Sequence, residues 1–197
     1  MNPPFRLYII CLLLLALTAC TSAPVSADNS THTISTPDPD AVKLIAMGEQ
    51  AMQIAQKSQG MVLRQVDTDL TTTDFRFVDR ALTREIVILV PESDAPTEKW
   101  ITSVNTVSPL LSYAQPALDL HNLRIGPKRV AQAIMNHWPG CSVRGANLYL
   151  ENNKLIWLVF CNTSKGVVSG SMDNETGVFQ PSNAPPASVP ATATPVP

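Results

Sequence analysis

Cys141-Ser142-Val143-Arg144-Gly145-Ala146-Asn147-Leu148-Tyr149-Leu150, then Glu151-Asn152-Asn153, then Lys154-Leu155-Ile156-Trp157-Leu158-Val159-Phe160-Cys161: this stretch reads as two strands joined by a tight turn. Aliphatic and aromatic residues fill both arms, and Glu151-Asn152-Asn153 between them is a hairpin signal. With Leu150 paired to Lys154, Cys141 falls opposite Thr163, two residues past Cys161. A bulge or a shifted turn within residues 151–153 is expected to bring the two cysteines together.

Outward from the hairpin, the same kinds of element recur. A helix is expected ahead of it, after Gly126-Pro127, with Val130, Ala131, Ile134 and Trp138 as its apolar stripe and Pro139-Gly140 as its stop. A third strand, residues 166–172, follows it and closes on Asp173-Asn174-Glu175-Thr176-Gly177 before Val178-Phe179. Earlier in the chain, Asp38-Pro39 is a cap followed by a favoured first-turn proline. Leu44, Met47, Gly48, Ala51, Met52 and Ala55 then recur at helical spacing until Gly60. Strand character follows at residues 61–70, 74–79, with Phe75 and Phe77 on one face, and 85–90, a run apolar enough to be largely buried. The order is a helix and three strands, twice. The fold class expected is α+β, as two helix-plus-antiparallel-sheet units.

Both ends of the chain differ from this. Residues 20–39 are rich in Ser, Thr, Ala, Asp and Pro and read as a flexible tether, and residues 182–197 read as a disordered Pro/Ala/Thr-rich tail. Between them lie roughly 140 residues, enough for one core.

Residues 7–19 form a short apolar run, the size of a signal-peptide core and too short to span about 30 Å of hydrocarbon. The run closes on Leu17-Thr18-Ala19-Cys20, which resembles the lipobox of bacterial lipoproteins. The resemblance implies that residues 1–19 are a lipoprotein signal peptide, that Cys20 carries the lipid, and that the chain sits on the extracytoplasmic face of a cell membrane. An ordinary secretory signal cleaved near Ala27 is the competing reading. Cys11 would leave with the signal peptide, so Cys141 and Cys161 are left as a pair. In that compartment such a pair most often forms a disulfide, worth at most about 3 kcal/mol for a loop this short. A metal pair or a catalytic thiol are the alternatives, and each lacks its further ligands or base in the surrounding sequence.

Removal of Arg6 leaves 13 of the 14 Lys and Arg against 16 Asp and Glu, a side-chain charge of −3. Such a chain, with no cationic patch, is not expected to bind nucleic acid, and its contact with the bilayer is expected through the lipid on Cys20.

Residues 126–181 resemble a PepSY-type domain. The resemblance rests on the helix with Ala131 and Ala133, the hairpin pairing Leu148-Tyr149-Leu150 with Ile156-Trp157-Leu158-Val159, and an ending in Asp173, Thr176, Gly177 and Val178. Residues 40–90 read as a second, more diverged copy that shares the element order but not the Thr-Gly ending. The resemblance implies a small extracytoplasmic α+β module of a kind proposed to bind or inhibit peptidases, with no catalytic residues to carry over. Asp173 and Gly177 read as the turn that ends the sheet.

Residues 91–125, with Trp100, Leu110, Leu111, Tyr113, Leu118, Leu120 and Leu123, are too apolar for a free linker. They are expected to pack over the sheets. A sharper expectation is that Trp100 and Tyr113 line a groove between the two units, where a peptide or another envelope protein docks. The histidines His32, His121 and His137 lie far apart, Asp67 and Asp69 alternate on a strand, and neither a phosphate loop nor a nucleophile elbow occurs in the sequence. No enzyme activity, metal or cofactor is expected. The function expected is a lipid-anchored binding module that binds or inhibits an envelope or secreted peptidase. The alternative is a structural or assembly lipoprotein of the envelope, and an unrecognised hydrolase comes third.

Overall fold

The computed structural model describes residues 33–58, 60–91, 95–107 and 117–182. Residues 1–32, which hold the expected signal peptide, Cys20, His32 and most of the expected tether, lie outside these, as do Tyr113 and the expected tail after Ser182.

Helix α1, Pro39–Gln56, begins where Asp38 accepts the Ala41 N–H on its carboxylate at 2.7 Å. Ala41, Leu44, Gly48, Ala51 and Ala55 are its buried stripe, spaced three and four apart as a single helix face requires. Helix α2, Pro127–His137, buries Val130, Ala131 and Ile134 and ends before Gly140, whose φ of +80° turns the chain into the hairpin.

The strands are β1 (Val62–Thr68), β2 (Thr73–Val78), β3 (Arg84–Val90), β4 (Ile101–Thr106), β5 (Ser142–Glu151), β6 (Lys154–Thr163), β7 (Gly166–Asp173) and β8 (Phe179–Ser182). The fold is α+β, and the order is a helix followed by a four-strand meander, twice. The expectation of three strands per set omits β4 and β8. The two sets do not form separate sheets. β1 and β5 pair antiparallel through Val66↔Leu148, Asp67↔Asn147 and Thr68↔Ala146, giving one eight-stranded sheet in the order β4-β3-β2-β1-β5-β6-β7-β8. Each of these strands would otherwise be an edge with unpaired N–H and C=O groups, and pairing removes both edges at once.

The hairpin forms between β5 and β6 with a tighter turn than the register read from sequence. Glu151 pairs with Lys154 and Leu150 with Leu155, across Asn152 and Asn153 with φ of 51° and 63°. The irregularity sits at Arg144, not in the turn, between Val143↔Cys161 and Gly145↔Phe160. Cys141 stands just before β5 and meets Cys161 on the diagonal. The two form a disulfide with Cα atoms 5.8 Å apart.

The core lies between the helices and one face of the sheet. Phe75 and Phe77 are both buried there, as their alternation predicts, along with Leu63, Val66, Ile86, Ile88, Leu148, Trp157 and Val159. Residues 118–125 belong to it too: Leu118, Leu120, Leu123 and Ile125 are buried. The Trp157 indole N–H donates to the Ile125 carbonyl at 2.8 Å, and the buried Asn174 accepts N–H bonds from Arg124 and Ile125 and donates to the Asn122 carbonyl. A buried amide side chain with its groups paired in this way fixes the segment against the end of β7.

Residues ahead of α1 also bond to the rest of the domain. The Ile34 N–H donates to the Glu175 carbonyl at 2.6 Å and the Asp38 N–H to the Arg124 carbonyl at 2.9 Å, so residues 34–38 run from the turn after β7 to the segment ahead of α2 before α1 starts.

Candidate functional site

α1 packs on the sheet with a groove along each flank. The first lies between α1 and residues 118–121, with a volume of about 250 Å³. Leu63, Leu118 and Leu120 form its apolar base with Ile45 and Met52, while Glu49, Gln53, Gln56, Asp119 and His121 supply polar groups. Gly48 sets its shape, because a Cβ there would overlap the Leu120 side chain. Residues 120–122 make one 3-10 turn, held by the Asp119 carboxylate, which accepts the His121 N–H and an Asn122 amide proton, each at 3.0 Å. His121 Nε2 stands 3.9 Å from a Glu49 oxygen across the groove, and both side chains are exposed.

The second groove, about 470 Å³, lies between Lys43, Ala46, Met47 and Gln50 of α1 and residues 95–98 with Trp100. Trp100 is half-buried, packs in part against the core, and donates its indole N–H to the Ala95 carbonyl at 3.0 Å. Trp100 therefore packs, as expected of this segment, and the groove that it lines lies within the first set and not between the two. Tyr113, its expected companion, lies outside the described residues, as does Cys20.

The remaining polar candidates serve the fold. Asp67 belongs to an ion network on the sheet face away from the helices: Arg76 Nε lies 2.6 Å from Asp67, and Arg76 reaches Glu85 at 3.3 Å and Asp74 at 3.9 Å. Arg76 is held protonated more firmly than an ordinary arginine, because its carboxylate neighbours outweigh its burial. Burial pushes Asp74 up against the pull of Arg76. Asp69 does not share the strand face with Asp67. It closes the β1–β2 turn, accepting the N–H groups of Thr71 and Thr72. Asp173 likewise closes its turn on Glu175 and Thr176. His137 meets Trp138 edge-on, ring centroids 4.4 Å apart, with Phe179 beside both. Among the described residues, no group of three or more His, Cys, Asp or Glu is placed to hold a metal ion.

The apolar groove escapes a reading of the sequence. Gly48 looks like one more small residue of a helix stripe, and although Leu118 and Leu120 are expected to pack over the sheets, nothing in the sequence sets them and His121 against α1; only tertiary packing brings them together.

No protein-family profile matches the chain, and no curated protein matches it. Among solved structures, a candidate lipoprotein of Clostridium difficile 630 superposes with a TM-score of 0.49 at 14% identity, covering 68% of this chain and 88% of that one. No helix among the described residues is long and apolar enough to cross a membrane.

Proposed function

We propose that the chain is a lipid-anchored extracytoplasmic binding module, held through Cys20, that takes an apolar side chain of an envelope or secreted peptidase into the groove between α1 and residues 118–121. The observation that carries this is the groove itself: an apolar base ringed by amide, carboxylate and imidazole groups able to bond a peptide backbone. Met52 gives one wall an adaptable, polarizable surface. The lipobox-like Leu17-Thr18-Ala19-Cys20 supports the anchor, and the disulfide between Cys141 and Cys161 fits an oxidising compartment outside the cytoplasm.

In the same reading, residues 126–181 are a PepSY-like unit and residues 40–90, extended by β4, a diverged copy. The matching element order, with the first strands of the two sets side by side, supports this. The work is binding and not turnover.

Crosslinking in intact cells followed by affinity capture tests the proposal, comparing the full chain with its Met52→Lys variant. Met52 is half-buried at the groove, so the variant should keep its thermal transition while losing roughly tenfold or more of the captured peptidase. Equal capture by both would remove the groove from the interaction. Recovery in a large envelope assembly, with no effect on the cell's secreted peptidase activity, would favour the structural role.

A further inference from the structure

β4 is one end of the sheet. Its residues Ile101-Thr102-Ser103-Val104-Asn105-Thr106 pair with β3 without a register shift, from Leu89↔Ile101 to Arg84↔Thr106, and all six are exposed. The bonds on either side of β3 give the direction of the backbone groups. The Asp79 N–H donates to the Arg84 carbonyl on the β2 side, and the Val107 N–H donates to the Thr83 carbonyl on the β4 side. Bonded residues alternate along an antiparallel ladder. Ile101, Ser103 and Asn105 therefore bond to β3, while Thr102, Val104 and Thr106 direct their N–H and C=O groups out of the sheet. No other described strand pairs with them.

Natural edges are blunted by charge, proline, bulges or brevity. The opposite edge, β8, is four residues long and contains Pro181. β4 has none of the four devices: it holds no charged residue, no proline and no bulge, and its six residues include Ile101 and Val104, which are 61% and 63% exposed.

We propose that β4 pairs antiparallel with β4 of a second copy of this chain, about a two-fold axis perpendicular to the sheet at Val104. In this register Val104 stands opposite Val104 of the second copy, Thr102 opposite Thr106, Ser103 opposite Asn105, and Ile101 opposite Val107. Every outward N–H and C=O of Thr102, Val104 and Thr106 is then bonded, and both exposed apolar residues meet apolar partners. Opposed residues lie on the same face of the sheet, as antiparallel pairing demands. A two-fold sets a strand against its own reverse, so a charge near the axis would meet its like; the neutral strand has none to repel. The register centred on Ser103 fits less well, since it leaves Thr106 unpaired and sets Ile101 against Asn105. The pairing is independent of the α1 groove.

The test uses the full chain in its own membrane, carrying Val104→Cys and oxidised mildly before non-reducing electrophoresis. Cα atoms at a bonded antiparallel pair lie about 5.5 Å apart, within the range a disulfide spans. Most of the chain should migrate at twice the monomer mass, and Ser103→Cys should crosslink several-fold less. Thr102→Pro added to Val104→Cys should abolish the dimer, because it removes an N–H that points away from β3 and leaves the domain's own ladder intact. Val104→Cys remaining monomeric, Ser103→Cys crosslinking better, or a dimer that survives Thr102→Pro would each overturn the proposal. So would an adduct with a different protein, which would give the edge to that partner. Sedimentation of the unsubstituted chain in detergent reads the same question without a thiol: a dimer that Val104→Lys converts to a monomer supports the pairing, and an unsubstituted monomer refutes it.

Discussion

The Asp40 carboxylate, in the first turn of α1, accepts the N–H of Lys128, in the first turn of α2, at 3.0 Å, and its other oxygen lies 3.4 Å from the Lys128 ammonium. Asp38 acts in parallel. It caps its own helix at Ala41 and accepts the Gly126 N–H at 3.1 and 3.0 Å through its two oxygens. α2 has no side-chain cap of its own, because Gly126 occupies the cap position. A Cβ at Gly126 would stand 2.5 Å from the Asp40 Cβ, so glycine is what allows the two helix starts to approach. Two positive helix ends are thus brought side by side and neutralised by acids of the first helix.

Asp40→Ala should therefore weaken a helix to which Asp40 does not belong. The expected loss is about 1 kcal/mol, the usual worth of an N-terminal cap. Asp40→Asn should keep most of it, since asparagine caps as well as aspartate. Urea unfolding of the three proteins measures the difference.

Reduction of the disulfide between Cys141 and Cys161 should lower stability by up to about 3 kcal/mol, given a sequence separation of 20. The bridge ties the start of β5 to β6 beside the Arg144 bulge, so the lost protection should concentrate at that end of the hairpin. Unfolding with and without reductant, followed by amide exchange, checks both statements.

Asp173 should produce a loss of stability in acid. Burial tends to raise its pKa, but the N–H groups of Thr176 and Glu175 outweigh that and hold the carboxyl below its ordinary 3.8. A carboxyl depressed in the folded state stabilises at pH above its unfolded value, and the contribution disappears as the pH falls through the folded one. Asp173→Asn should lose this part of the acid dependence. Asp74, raised by burial, acts in the opposite sense: its ionisation costs stability as the pH rises past 3.8. Thermal unfolding from pH 6 down to pH 2.5 (about the range carboxylates titrate) compares the Asn variant with the parent.

Arg76→Met should destabilise by about 1–3 kcal/mol at neutral pH, because it deprives Asp67 and the buried Glu85 of a shared cation. The difference should shrink as acid neutralises the carboxylates. Paired urea titrations at neutral and acidic pH test it, and an effect independent of pH would assign the role of Arg76 to packing.

What can be read from the sequence follows what local chemistry can encode. The β5–β6 hairpin is legible because apolar arms flank two asparagines suited to positive φ, and α1 because Asp38-Pro39 starts a spaced apolar stripe. β4 is not legible. Ile101 and Val104 are three residues apart, off the two-residue period of a half-buried strand, and pairing with β3 selects this segment where burial does not. The joining of the two sets is equally hidden, because nothing within β1 or β5 names the other. Of the site, Trp100 stands out as an aromatic in a supposed linker, whereas the apolar groove depends on Leu120 packing against Gly48, a contact between distant parts of the chain.

The Ile34 contact with Glu175 and the Asp38 contact with Arg124 also decide how a mechanical pull enters the domain. Tension on the chain ahead of Thr33 meets the Ile34 bond to Glu175 and the Asp38 bond to Arg124 before it reaches the first turn of α1. These bonds, together with those from the Gly126 N–H to the Asp38 carboxylate, stand ahead of the helix, so force is passed to the Glu175 turn and to residues 124–126 before it bears on α1.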